Sequence, residues 1–394
     1  MLNPKDFYRK LDTLLSDIYK IKGIDVLPTV LKELVDFLGI DLHIIDGCLY
    51  EDDDDKFNLI FSTNEKKAAP HLLTNEKVVQ LILEHSCYIF NEPAELLNSS
   101  FISWKNLTPA GFVVNNEETR WIFIFGLDYG WEREEIEFCL NTVRKVLNSR
   151  ISSEQFQNYL HQAELIQRSL IPKKCPEING FDIAARSIPT EFVGGDLYDF
   201  VIFDAEHFGI AIGDASGHGL PAALLVRDVV TGLRMGIEKQ MKMTYALEKL
   251  NRVIHKSRLS TSFISLFYAE IELNGNMIYV NAGHPTPLLI KEKEIEEFPI
   301  GGLVLGPLPE VRLKRGFQLI DKGDILVLYS DGLIERKNQF GEPFEVERLK
   351  NMVINNKQLP ATDLLDLIID EVYRFGDNTK WVDDVTVVLI KKMI

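Results

Sequence analysis

Apolar side chains at Phe7, Leu11, Leu14 and Ile18 recur at helical spacing, and so do Leu27, Val30, Leu31, Leu34, Val35 and Leu38, with Gly39 as the expected stop. Two amphipathic helices are therefore expected to open the chain. Beyond them the pattern shortens to that of strands at 57–61, 111–115 and 121–127, with a helical stretch near 76–85 between. These elements predict a compact α+β module. The acidic run from Glu51 to Asp55, closed by Lys56, reads as a solvated loop between strands rather than a cation site.

From Glu132 to about Leu170 the helical period returns, with Ile136, Leu140, Val143 and Leu147 followed by Phe156, Leu160, Ala163, Gln167 and Leu170. The seam is coiled-coil-like but imperfect. A helix this long, ended by Pro172, has to pack on a domain or pair with a second copy of itself. A dimerising connector is expected; the competing reading is a terminal helix packed on the first domain.

After Pro176 strand signals crowd together, including FDIAARSI, DFVIF, FGIAI, SFISLFYAEIEL, MIYVNA and DILVLY, and VTVVLI is the last of them. Asn274-Gly275-Asn276 between two runs is a hairpin signal, so part of the sheet is antiparallel. Helical stretches interrupt the strands at 220–239, 243–257, 345–355 and 361–375. The expected divisions are 1–135, 136–171 and 172–394, the last a layered α/β arrangement with antiparallel sheets.

Charge narrows the partners. The chain has 43 basic against 59 acidic side chains, a formal charge of −16. Residues 1–150 carry −9 of it, with 16 basic and 25 acidic side chains, so neither half is a basic patch. Such a surface repels phosphate backbones and anionic lipid, which argues against nucleic acid or membrane as the main partner. No apolar run reaches membrane-span length and MLNPKDFYRK lacks a signal-peptide core, so a cytoplasmic location is expected. Cys48, Cys87, Cys139 and Cys175 form no CxxC pair and read as reduced, buried thiols.

Four aspartates stand where apolar runs stop: Asp196 in VGGDLYDF, Asp214 at the end of GIAIGD, Asp331 in LYSDG, and Asp383, with Asp384, before VTVVLI. A single aspartate there is usually a turn former or helix cap. Four with small neighbours point to a common site. Oxygen ligands without histidine or cysteine beside them suit Mg²⁺ or Mn²⁺ and argue against zinc. Carboxylates crowded around one point need cations to stay ionised, and two such ions about 3.5–4 Å apart activate a bridging water for attack on a phosphoryl group. Phosphate-ester hydrolysis is the reaction this favours.

Residues from about 165 to 392 resemble the SpoIIE-type branch of the PPM (phosphatase 2C-like) metal-dependent serine/threonine protein phosphatases. QRSLIP, VGGDLYD, IGDASGHGLPAALL, SFISLFYAEIE, YVNAGHPTPLLI, LYSDGLIE and DDVTVV follow one another in that family's order. The resemblance implies a PPM-type α-β-β-α sandwich of antiparallel sheets and two divalent cations. It makes Asp214 the shared carboxylate with the Ala215 carbonyl beside it, Asp196 a ligand of one ion, and Asp331 and Asp383 ligands of the other, with Asp384 the alternative to Asp383. It also implies direct attack of an activated water on phosphoserine or phosphothreonine, with no covalent enzyme intermediate. In keeping with that, no cysteine is followed by arginine six positions later, as a cysteine-nucleophile phosphatase loop requires.

His218, between Gly217 and Gly219, is the candidate for protonating the leaving oxygen, against a role in fixing its own loop; His284 reads as a turn-stabilising residue. Pro221 suits the first turn of a helix whose positive end adds a minor attraction for a bound anion. The branch acts on a phosphorylated STAS-domain (anti-anti-sigma-factor-like) protein in partner switching, under control of a preceding domain. Residues 1–150 resemble a GAF-type sensor in size, helical start and the long helix that follows, and QRSLIP matches the end of the family's connector helix.

Three rivals fall short. Gly217 to Ala222 satisfies the dinucleotide-binding GxGxxG/A spacing, but Asp214 just ahead would repel a pyrophosphate and no second strand with a terminal acid follows. Gly194-Gly195-Asp196 suggests a diguanylate cyclase, but Leu197 and Tyr198 break that motif. A catalytically silent phosphatase-like binding protein should have lost a carboxylate, and all four are present. Asp214→Asn is expected to abolish Mn²⁺-dependent phosphate release with little effect on metal-free unfolding.

Overall fold

The structure, a computed structural model, describes residues 4–21, 26–64, 68–91, 104, 106–237, 242–257, 263–292, 294–298 and 301–394. The end of the predicted 220–239 helix, at 238 and 239, and Ser262 at the head of SFISLFYAEIEL lie outside them. Two compact units divide at Asn158/Tyr159. That division falls inside the long helix, not at either of its ends.

The first unit runs α1 (Pro4–Ile18), α2 (Val26–Leu42), β1 (Ile44–Asp53), β2 (Lys56–Ser62), β3 (His71–Leu73), α3 (Lys77–His85), β4 (Cys87–Ile89), β5 (Thr108–Asn115), β6 (Arg120–Leu127) and the start of α4 (Arg133–Leu170). Its sheet is antiparallel, in the order β3-β2-β1-β6-β5-β4. Helix α2 continues past Gly39, because the glycine is there for close packing: a Cβ would lie 2.7 Å from the Ile44 carbonyl oxygen. The left-handed His43, φ 56°, ends the helix instead.

The acidic run is mostly strand, contrary to the expected loop. Asp53 pairs with Lys56 in the ladder, so only Asp54 and Asp55 make the turn. Glu51 accepts the Trp121 indole N–H at 3.0 Å and Asp52 accepts Arg120 Nε at 2.6 Å, cross-strand contacts that a periodicity reading does not see. Ile136, Cys139, Leu140, Val143 and Leu147 of α4 are buried with Phe7, Val30, Leu34, Phe112 and Phe123. The first part of the long helix is thus a core element of this unit.

The second unit takes in the end of α4 and then β7 (Phe181–Ile188), β8 (Asp196–Asp204), β9 (His207–Ala215), α5 (Leu220–Gly236), α6 (Met243–Lys256), β10 (Ile264–Glu272), β11 (Asn276–Ala282), β12 (Leu288–Ile290), β13 (Ile295–Glu297), β14 (Gly316–Leu319), β15 (Ile325–Tyr329), α7 (Asp331–Ile334), α8 (Val346–Asn355), α9 (Ala361–Phe375) and β16 (Val385–Lys392). Two antiparallel five-stranded sheets result, ordered β14-β11-β10-β9-β8 and β13-β12-β15-β16-β7.

Side-chain alternation separates the layers. On β9 Ile210 and Ile212 meet Leu326, Leu328, Val388 and Ile390 of the other sheet, while Ala211 turns to Val226 and Val229 of α5. Leu364, Ile368 and Val372 of α9 cover the far side of the second sheet. The order is helix, sheet, sheet, helix, the expected α-β-β-α sandwich. Gly275 at φ 97° forms the β10–β11 turn, where Asn274 Oδ1 accepts the Asn276 N–H at 2.8 Å. Cys48 and Cys139 are buried, Cys87 and Cys175 half-buried, and all four are unbridged. Among the described residues no helix is long and apolar enough to cross a membrane.

Candidate active site

The four aspartates arrive in two pairs, one from each sheet. Asp196, first in β8, is the direct cross-strand partner of Asp214 on β9, so the two side chains share a face. Asp331 opens α7 just after β15, and Asp383 and Asp384 precede β16; β15 and β16 are paired neighbours. Ser330 between them is locked to β16, donating its N–H to the Thr386 carbonyl and accepting the Thr386 N–H at its hydroxyl, both at 2.9 Å.

Charge ties the pairs together across the two sheets. Asp196 is buried, and desolvation followed by the facing Asp214 pushes it well above the usual carboxylate range, against relief from the Ser330 and Thr386 hydroxyls. Asp214 is raised to about 7 by burial and then by Asp331, Asp383 and Asp384. Asp331 is raised by burial, Asp383 and Glu335. The site is one in which protons or cations must neutralise crowded carboxylates.

The donor set fits a hard divalent cation. It consists of carboxylates and a carbonyl, and Asp196 Oδ2 is buried with no hydrogen-bond partner. Gly195 forms a cradle beside it: a Cβ there would sit 2.8 Å from the Ala215 carbonyl oxygen and 3.4 Å from Asp214 Oδ1. Among the described residues, however, no three His, Cys, Asp or Glu side chains stand grouped tightly enough to hold an ion as they are. The carboxylates are neighbours by register and by field, not a closed coordination shell.

Asp383 and Asp384 have different surroundings. Asp384 is buried, with Oδ1 accepting the Thr190 N–H at 2.7 Å and Oδ2 accepting the Gly195 N–H, so it ties down the loop ahead of Asp196. Asp383 is exposed and faces Asp214 and Asp331 electrostatically. From the last turn of α4, Gln167 grips the same loop: its Oε1 accepts the Gly194 N–H at 2.9 Å and its Nε2 donates to the Gly194 carbonyl.

His218 is not drawn into this cluster. Its side chain is 84% exposed and its Nδ1 lies 3.1 Å from Glu191 Oε1, linking two loops at the rim. His284 is buried, driven down to about 3 by desolvation, and contacts Ser265 Oγ at 2.9 Å through Nδ1. Its backbone N–H and carbonyl are both bonded to the Asn281 side chain, which makes it a turn former as its sequence suggests. A cavity of about 580 Å³ opens beside Asp214 and Asp331, lined also by Ser265, Thr286, Glu297 and Glu335. Sequence reasoning missed Gln167 as a loop holder and Glu191 altogether, since their partners lie 27 residues away in each case.

A sandwich with paired aspartates at the strand ends of both sheets defines a class. Residues 204–392 match the family described as Stage II sporulation protein E (SpoIIE). The phosphoserine phosphatase RsbU of Bacillus subtilis (strain 168) is 28% identical over 244 residues, spanning 61% of this chain and 72% of RsbU. The phosphoserine phosphatase RsbP of the same organism is 22% identical over 204 residues, half of this chain and 49% of RsbP. In fold, the SiaA-PP2C domain of Pseudomonas aeruginosa superposes with a TM-score of 0.55 at 18% identity, covering 61% of this chain and 98% of that domain. Asp214, Asp331 and Asp383 fall inside the family match; Asp196 and Gln167 lie ahead of it.

Proposed function

We propose that this chain is a metal-dependent serine/threonine phosphoprotein phosphatase, with Asp196, Asp214, the Ala215 carbonyl, Asp331 and Asp383 holding two divalent cations, Mn²⁺ or Mg²⁺. The observation that carries the reading is the Asp196–Asp214 cross-strand pair, crowded by Asp331 and Asp383 from the other sheet and leaving Asp196 Oδ2 unpartnered. Such ions, when bound, polarise a phosphoryl group and a water for in-line attack.

The chain's own residues divide the remaining work. Asp214, central to the cluster, takes the shared position, and Asp384 and Gln167 fix the glycine loop that sets Asp196. The cavity beside Asp214 and Asp331 receives the phosphorylated segment. A proton donor to the leaving oxygen would have to reach inward from the rim, so the Glu191 contact favours the loop-fixing role for His218.

The substrate we infer is a phosphorylated STAS-domain protein of a cytoplasmic partner-switching pathway, in keeping with the relatives named phosphoserine phosphatases. The first unit is read as a GAF-like regulator that acts through the α4 end and its Gln167 contact. Exposed Phe156 and Ile166 on α4 support pairing of two chains there; Phe156→Glu is then expected to halve the size-exclusion mass. Incubation with Mn²⁺ and phosphorylated STAS-domain proteins should release phosphate, and a chelator should stop it. Release unaffected by the chelator or by Asp214→Asn would overturn the reading.

A further inference from the structure

Arg336, just beyond α7, is 4% exposed, and among the described residues no carboxylate pairs with it. A guanidinium taken out of water needs its donors met, and here backbone carbonyls supply most of that need. Nη1 donates to the Lys380 carbonyl at 2.8 Å; Nη2 donates to the Gly376 and Thr379 carbonyls and to Thr379 Oγ1, at 3.1, 2.6 and 2.9 Å. The group also lies 5.0 Å over the Trp381 ring. All its partners belong to one turn.

That turn is unusual in itself. Asp377 and Asn378 are consecutive left-handed residues, φ 57° and 55°, a conformation side chains avoid. Gly376 packs so closely that a Cβ would overlap the guanidinium. The turn leads straight into Asp383 and Asp384, while Arg336 itself follows Asp331 by five positions.

We propose that Arg336 is a positioning residue: its planar fork holds the 376–381 turn in its left-handed form and so sets Asp383 against Asp331. The inference rests on the reading of those two aspartates as cation ligands. Lysine keeps the charge but offers no fork to carbonyls arranged around a plane.

The test is Mn²⁺ binding to the full-length chain, read by electron paramagnetic resonance of the free ion, beside the Mn²⁺ dependence of phosphate release. Arg336→Lys is expected to weaken Mn²⁺ about tenfold, the usual scale for a group that orients a ligand, with kcat at saturating Mn²⁺ kept. Glycine adopts positive φ freely, so adding Asp377→Gly and Asn378→Gly should restore most of the lost affinity. A packing role alone would not be repaired by loosening the turn. Should Arg336→Lys not fold, Thr379→Ala, which removes one acceptor, should show a smaller loss of the same kind. Wild-type affinity in Arg336→Lys and Thr379→Ala, or no recovery with the glycines, overturns this proposal alone. Wild-type chain that binds no Mn²⁺, or Asp214→Asn that binds it normally, overturns the metal reading and this one with it.

Discussion

Replacing Asp214 with asparagine should stabilise the metal-free protein while abolishing its response to Mn²⁺. Asp214 is held at about 7, against ~3.9 for an unfolded aspartate. Between those values the folded chain keeps a proton that the unfolded chain has lost, so stability falls as pH rises through that window and levels off above about 7. The gap is about three pH units at ~1.4 kcal/mol each, on the order of 4 kcal/mol when complete. Solvent access and reorientation of the neighbouring carboxylates reduce this to roughly 2 kcal/mol.

For a unit of this size that is a rise in melting temperature of about 4–8 °C. The assay is thermal unfolding of wild type and Asp214→Asn in EDTA at pH 8 and at pH 5.5, then at pH 8 with Mn²⁺. The variant should melt higher in EDTA, by more at pH 8 than at 5.5, and Mn²⁺ should raise only the wild type. Equal midpoints at pH 8, or an advantage that shrinks as pH rises, would refute the crowding argument. The sequence alone suggests a neutral substitution, because it cannot show how closely the other aspartates approach.

Mn²⁺ affinity should fall by about tenfold per pH unit below 7 as protons compete for Asp214, which titrations at pH 5.5, 6.5 and 7.5 would reveal; a flat profile would contradict it. Asp384→Ala strands the Thr190 and Gly195 N–H groups and should cost about 1–3 kcal/mol in urea unfolding, whereas Asp383→Asn should cost Mn²⁺ binding and no stability. Gly195→Ala drives a methyl against the Ala215 carbonyl and should lower activity with about 1–3 kcal/mol of destabilisation; wild-type turnover would show that the cradle is roomy. Gln167→Leu removes both contacts to Gly194 and should reduce basal phosphate release at fixed Mn²⁺ while the fold persists.

The sandwich and its four aspartates were legible in the sequence because strand ends are marked locally, by an apolar run that stops and a glycine or acid that follows. The division at Asn158/Tyr159 was not, since it falls within one continuous helix, Arg133–Leu170, with no turn or breaker residue to mark it. The seam read as a pairing stripe is used differently at its end: Gln167 is buried against Gly194 and Leu170 packs on the core of the second unit. The roles of Asp384 and Arg336 depend on partners that only the fold brings near, 189 positions away for Asp384 and Gly195. No local pattern distinguishes Asp383 from Asp384; burial does.

The strand that follows Asp383 lies between β15 and β7, stitching residues 385–392 to residues 181–188. During translation, therefore, the second sheet stays open until its final strand has left the ribosome exit tunnel. A nascent chain can fold its first unit much earlier, while the second sheet waits for residues 385–392 to join residues 181–188.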